Sequence, residues 1–224
     1  MFKITTSKEA VRDSSGGNYI SDNGIYDVTI KFASVGVSKN GAQSINFNVD
    51  YKGNSQTFYG PFVTDKNDQP LEIGVNLINK LGIIAGLGEG DELSAETETH
   101  KVGKDQKEME FTVIPEFSDL PVKMRVQLEY SSYNDDITER FVIRNFFRED
   151  GASAQEIVDG AEEVGKQYAL ELEKYSSNSS YKDGLTEEDV AAWKEAKASG
   201  KETTKAKVST NASARKATLF KKAG

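Results

Sequence analysis

A mainly β domain with one helix set between its strands, then a helical extension and an unstructured tail, is the fold class this sequence predicts. Three observations carry it. Four segments within the first 148 residues alternate their side chains with the period of two that a half-buried strand requires. One stretch between them, Ile73 to Ile84, changes to helical spacing. Beyond residue 150 the pattern is helical, and the last 24 residues have almost no large apolar side chains.

The elements follow in order. After a polar start ending in Ser14-Ser15-Gly16-Gly17, Tyr26, Val28, Ile30 and Phe32 alternate with Asp27, Thr29 and Lys31, so they predict one buried strand face. Lys39-Asn40-Gly41 is a turn signal. Ile45, Phe47, Val49 and Tyr51 then alternate with Asn46, Asn48 and Asp50, and Lys52-Gly53-Asn54 turns into a third strand near 56–63. These three segments predict an antiparallel meander. Ile73, Leu77, Leu81 and Ile84 share one helical face, and Gly86, Gly88 and Gly90 stop that helix. A polar hairpin from Leu93 to Ile114 turns at Gly103. Val122, Met124, Val126, Leu128 and Tyr130 alternate with Lys123, Arg125, Gln127 and Glu129 in the next strand. In the last, Ile137 to Phe147, one face carries Phe141, Ile143 and Phe147, the other Arg140, Val142, Arg144 and Phe146.

Three strands, a helix and a closing pair of strands is the order of an OB-like antiparallel barrel, with the hairpin as an insertion. A β-sandwich with one surface helix competes with it. Residues 1–148 form this predicted barrel and carry a net charge of −6. Residues 149–200, at −8, form an acidic helical extension. There Ser153 and Glu156 have capping-box spacing ahead of a face made by Ile157, Ala161, Val164, Tyr168 and Leu172. A second cap pairs Thr186 with Asp189, with Leu185 placed to pack on Val190. Residues 201–224, at +6, cannot bury enough surface to offset their ordering entropy and read as a disordered basic tail.

Composition excludes much chemistry. There is no cysteine, so disulfides, thiolate metal sites and cysteine nucleophiles are out, and the single histidine, His100, removes histidine-cluster zinc sites. His100 lies in the polar run Glu98-Thr99-His100-Lys101 and reads as a solvated hairpin residue. Gly86-Leu87-Gly88-Glu89-Gly90 follows a helix, the reverse of the strand-to-helix setting of a phosphate cradle. No cofactor is called for and no catalysis is expected. No apolar stretch reaches membrane-spanning length and the start lacks a signal-peptide run, so no membrane is expected and the location predicted is cytoplasmic.

Nucleic-acid binding has better material. Arg140, Arg144 and Arg148 recur at every fourth position, which in a strand puts all three on one face with Phe146 among them. Lys123 and Arg125 share the outer face of the preceding strand. Tyr130 and Tyr133 are placed in the connecting loop, Lys39 in the loop across the groove, and Tyr51 and Tyr59 around the second and third strands. Cations that track a backbone beside rings that stack on bases are what a single strand requires. The plain alternative is a solvated strand face, and the net charge of the domain opposes phosphate.

This pattern resembles phage-encoded OB-fold single-stranded DNA-binding proteins over roughly residues 19 to 148. The likeness rests on Gly24-Ile25-Tyr26-Asp27-Val28, the helix ending at Leu87, the Val122–Val126 strand and Arg140-Phe141-Val142-Ile143-Arg144-Asn145-Phe146-Phe147. It implies coating of single-stranded DNA in phage replication and recombination, in the host cytoplasm. It also implies a tail that recruits replication, recombination or transcription proteins. The tail departs from the acidic, phenylalanine-ended type: it closes Thr218-Leu219-Phe220-Lys221-Lys222-Ala223-Gly224. Leu219, Phe220, Lys221 and Lys222 are expected to form a partner-docking motif. The rival readings are a phage structural or adaptor protein and a metal-dependent nuclease.

Overall fold

The computed structural model describes residues 19–199 apart from Lys104, Asp135 and Ser176. The basic tail, including Leu219, Phe220, Lys221 and Lys222, lies outside the described residues. The chain divides into two compact units, one drawn from Met1–Val126 and Val142–Ser177, the other from Gln127–Phe141 and Asn178–Gly224. Both are built on antiparallel strand pairs, and strand is the dominant element.

In the first unit, strand β1 (Gly24–Val37) is shared by three partners. Along one edge it pairs antiparallel with β2 (Gln43–Tyr51), which pairs with β3 (Asn54–Phe58). The connecting turns need left-handed backbone, and Gly41 (φ +90°) and Gly53 (φ +81°) provide it. Along the other edge, Gly24–Ile30 pair with Leu120–Val126 of β6 (Leu120–Tyr133). Further along that edge, Ala33 and Ser34 pair with Ile114 and Val113 of β5 (Lys107–Ile114). A strand of 14 residues is long enough to take both neighbours end to end. Strand β5 forms a hairpin with β4 (Glu96–Val102), turning at Gly103.

The sheet is open, which corrects the expectation of a closed barrel. Among the described residues β3 pairs with β2, and β7 (Asp136–Phe147) pairs with β6. Strand β3 is only five residues long. Beyond it the chain turns at Gly60 (φ +89°) and comes back against the start of β2, where Ile45 N–H donates to the Pro61 carbonyl at 3.0 Å. That return uses chain which a closed barrel would need for lengthening β3.

The core of this unit is made by Val28, Ile30, Ala33, Ile45, Phe47, Val49, Phe58, Val122, Met124, Phe146 and Phe147, all buried. Helix α1 (Glu72–Ile84) adds Leu77, Ile78 and Leu81. Its inner face starts at Gly74, not at Ile73, which is 85% exposed. The reason is close approach: a Cβ at position 74 would stand 1.8 Å from the Phe62 carbonyl oxygen, so only glycine fits against that loop. The helix expected after the Ser153 cap is two helices, α2 (Ala154–Val158) and α3 (Lys166–Tyr175). Gly160 (φ +60°) and Gly165 (φ +89°) interrupt it between them. The Ser153–Glu156 capping box is formed, and Glu156 Oε1 also accepts from Lys166 N–H at 2.9 Å, tying the two helices together.

The second unit has its own small core. Leu128, Tyr130 and Ile137 come from the β6–β7 hairpin. Leu185 and Val190 come from helix α4 (Glu187–Ala198) and its cap, with Phe141, Tyr181 and Trp193 packed around them. The two-residue strand β8 (Ser180–Tyr181) runs parallel to β6. The acidic stretch is therefore divided, with α2 and α3 in the first unit and β8 and α4 in the second.

One carboxylate organises this core. Glu129 is 1% exposed, and it accepts from Arg140 Nε at 2.9 Å and from Lys182 Nζ at 2.9 Å. Burial alone would raise its pKa, but the hydrogen bonds and charges of Lys182 and Arg140 prevail and bring it to about 2. A carboxylate whose pKa is lowered by folding stabilises the fold above its unfolded value and loses that contribution as pH falls toward 2. With Arg140→Ala and Lys182→Ala combined, burial should dominate and the pKa of Glu129 should rise. Acid unfolding of this unit, followed by Trp193 fluorescence, is expected to begin at a higher pH than in the parent protein. An unchanged acid midpoint would show that the pairs carry no coupling.

Candidate functional site

Four of the expected groove cations, Lys123, Arg125, Arg140 and Arg148, are matched by acids within the protein. Lys123 Nζ lies 2.5 Å from Asp27 Oδ1 and 5.4 Å from the centre of the Tyr168 ring. Arg125 is nearly buried and donates to Glu171 Oε2 at 2.8 Å, with the Tyr175 ring 4.7 Å from its guanidinium. Glu171, only 5% exposed, also accepts from Asn145 Nδ2 at 2.8 Å and from Gln167 Nε2 at 2.9 Å. This network fastens α3 to the sheet. Arg148 is held by Asp150 and, in the second unit, Arg140 by Glu129. Arg144 is half-buried.

The expected rings divide in the same way. Phe146 is fully buried, its ring 5.3 Å from that of Phe47, because the strand end that carries it enters the core and both Phe146 and Phe147 turn inward. That corrects its placement on an outer face. Tyr130 is within β6, not in a loop, and is 1% exposed in the second core. Tyr133, at the end of β6, is 74% exposed. Tyr51 is half-buried against Tyr26, Lys39 is exposed in the β1–β2 turn, and Tyr59 is 78% exposed.

Of these residues, Tyr59 alone lines the concave site that the first unit does contain. A pocket of about 160 Å³ opens over the β1–β2–β3 face. Its base is Phe32 and Ser34 of β1, Asn46 and Asn48 of β2 and Thr57 of β3, and its walls are Tyr59 and the hairpin residues Val102, Met109 and Phe111. Side chains directly opposite in an antiparallel ladder share a face. Phe32 is opposite Asn48, Ser34 opposite Asn46 and Asn48 opposite Thr57, so Asn46 and Asn48 of β2 face the pocket. On the hairpin, His100 is opposite Met109 and Val102 opposite Lys107, which brings Lys107 to the same face.

A register shift in β1 sets this arrangement. Ile30 pairs with Val49 and Phe32 with Asn48, so Lys31 is the extra residue of a β-bulge. Simple alternation keeps Phe32 on the core face beside Ile30; the bulge moves it to the pocket face. There the hairpin covers it. The His100 ring stacks on it at 4.0 Å and an interplanar angle of 14°, and Phe111 lies 5.1 Å away. His100 Nε2 is 2.7 Å from Glu98 Oε2. His100 is therefore a half-buried part of a ring cluster and not a solvated hairpin residue.

No family model matches the chain, and no curated protein matches it. Among the described residues no cluster of three or more acidic or histidine side chains could hold a metal ion, and no helix is long and apolar enough to cross a membrane. Sequence reasoning missed Phe32, Ser34 and Phe111 as pocket residues, and His100 as the ring stacked on Phe32. The hairpin pair was recoverable by counting outward from the Gly103 turn, whereas nothing in the residues around Lys31 marks the bulge.

The Arg125–Glu171 pair gives a direct test of the α3 attachment. Removing one partner of a buried pair typically costs about 3–5 kcal/mol, because the other charge is left without compensation. Glu171→Ala should lower the unfolding free energy of the first unit, read from urea titration, by that order, and Glu171→Gln by less, since it keeps the hydrogen bonds to the amides. Equal and small losses for both would mean that the pair does not secure the helix.

Proposed function

We propose that the first unit is an OB-like module that binds single-stranded nucleic acid across its β1–β2–β3 face. The observation that carries this reading is the pocket: exposed Tyr59 and the Phe32–His100–Phe111 cluster border uncharged amides and hydroxyls on the strand face that OB folds use for oligonucleotides. Rings accept any base, because every base has a π-face, and uncharged polar neighbours do not repel phosphate. Exposed Lys107 on the same face and Lys39 in the β1–β2 turn are placed to follow the backbone. The protein acts stoichiometrically, coating single-stranded DNA during phage replication and recombination, and residues 201–224 recruit partners.

The matching of Lys123, Arg125, Arg140 and Arg148 by acids of the protein supports a second reading, a phage structural or adaptor protein in which these side chains serve packing. Anisotropy titration of a labelled oligonucleotide, single-stranded against duplex, over a salt series separates the two. Under the binding reading the single strand is preferred, and its log affinity falls with log salt at about −0.7 per neutralised phosphate. Tyr59→Ala should weaken binding by about 1–3 kcal/mol, the usual value of one stacked base, and Tyr59→Phe should retain most of it. Lys107→Ala should make the salt slope shallower. Equal affinity for the parent and Tyr59→Ala would remove this face from the interface.

A further inference from the structure

We propose that β4 is a dimerisation edge, at which two copies of this chain pair their β4 strands antiparallel about a two-fold axis at Thr99. The pairing is independent of what the pocket binds. The first argument is an open edge. The sheet path β3-β2-β1-β5-β4 has two ends. At one, β3 is only five residues long, and both amide atoms of Gln56 hold the chain at Ile20 beside it, at 2.9 and 3.0 Å. At the other, β4 pairs with β5, and no strand lies beyond it among the described residues. Its seven residues, Glu96–Val102, keep one continuous register with β5 and include neither proline nor glycine. A straight edge of that kind presents a row of unpaired N–H and C=O groups, which proteins normally blunt with prolines, bulges or lysines. The one lysine of β4, Lys101, stands next to its end.

The second argument is what this edge fits. Charge is polarised along β4: Glu96 and Glu98 stand in its first half, His100 and Lys101 in its second. A second copy laid parallel and in register sets like beside like, whereas an antiparallel copy sets acids beside basic side chains. Side chains directly opposite in an antiparallel ladder share a face, so a two-fold axis there must set one residue against itself. Centred on Thr99, the register pairs all seven positions. Glu96 meets Val102, Thr97 meets Lys101, Glu98 meets His100, and Thr99 meets Thr99 of the second copy. Moving the axis one residue, to Glu98, sets two carboxylates against each other, and moving it to His100 sets two imidazoles together. Opposite charges and paired threonines are cross-strand contacts that stabilise a ladder, and the symmetry makes each unlike pair twice. Thr97 and Thr99 are exposed and β-branched, the type of residue that suits a further neighbouring strand.

The pairing has a geometric consequence for the pocket. An axis perpendicular to the sheet keeps each face on its own side. The pocket faces of both copies therefore lie on one side of the joined sheet, with the wall residues Val102 and Met109 in or beside the shared strands. Dimerisation doubles that surface without covering it.

The experiment uses the full-length chain, whose lack of cysteine makes cross-linking through one introduced cysteine unambiguous. Opposite residues of an antiparallel ladder have Cα atoms roughly 4.5–5.5 Å apart, within the roughly 4.4–6.8 Å that a disulfide spans. Thr99→Cys should give a covalent dimer on mild oxidation with diamide. Thr97→Cys should not, because position 97 lies opposite Lys101 and the two copies of position 97 stand about 13 Å apart along the strands, at ~3.4 Å per residue. Sedimentation of the parent protein over a concentration series should show a monomer–dimer equilibrium. Thr97→Glu sets an acid opposite Lys101 twice and should tighten the dimer by roughly two- to thirtyfold, and Thr97→Lys should weaken it by a similar factor. Urea unfolding verifies the fold of each variant. A parent protein that stays monomeric at the highest concentration would overturn the proposal. So would a dimer that Thr99→Cys fails to trap, that Thr97→Cys traps as readily, or whose affinity Thr97→Glu and Thr97→Lys move in the same direction.

Discussion

The ladder between β1 and β2 passes from Ile30–Val49 to Phe32–Asn48, and the residue it skips, Lys31, decides what both faces of the first unit contain. Before the bulge, Val28 and Ile30 point into the core. After it, Ala33 and Val35 take over that role opposite Phe47 and Ile45, while Phe32, Ser34 and Gly36 turn to the other side with the asparagines of β2. Strand β1 therefore buries both of its faces at Phe32, Ala33 and Ser34, and it does so without a continuous apolar run. Because Phe32 would otherwise be a large ring in water, the β4–β5 hairpin is drawn over it through His100 and Phe111. The pocket is the space this hairpin leaves above the polar positions of the strands.

Electrostatics divide the molecule differently from the simple ratio of acids to bases. Four cations in or just after β6 and β7 are used internally: Lys123 on Asp27, Arg125 on Glu171, Arg140 on Glu129 and Arg148 on Asp150. The exposed pairs contribute little to stability. Arg125 with Glu171, and Glu129 with its two cations, are the ones whose burial makes their geometry consequential. A face that looks basic in the sequence can thus present little net charge. The pocket face instead owes its polarity to Ser34, Asn46, Asn48 and Thr57, which carry no formal charge.

Much of this was legible in the residues. The alternation in β2 sends Ile45, Phe47 and Val49 inward and Asn46 and Asn48 outward, as counting by two requires. Both helix caps, Ser153 with Glu156 and Thr186 with Asp189, are where the spacing puts them, and Leu185 and Val190 share a core. The failures each have a local cause. A bulge at Lys31 shifts parity and leaves no mark in composition. The helix face after Glu72 is set by the small Gly74, which an apolar-residue count passes over in favour of Ile73. Arginines at every fourth position report a shared face, but they say nothing about the acids opposite them, which come from segments as distant as α3. Tyr130 was misplaced because β6 runs on to Tyr133, beyond the point where its alternation fades.

The first unit is interrupted in the chain by Gln127–Phe141 and resumes with Val142–Ser177, whereas the second waits for Asn178 onward. On a ribosome, which releases about 5–20 residues per second, the meander and hairpin emerge with Phe47 still lacking Phe146 and Arg125 still lacking Glu171. Leu128 and Tyr130 follow, with their covering residues, Leu185, Val190 and Trp193, well behind them in the chain. Neither unit can close in the order in which it is made. A gene fragment ending near residue 148 would freeze that unfinished state, exposing Tyr130 and leaving Glu129 without Lys182. The shortest piece of this chain that retains both cores extends through α4.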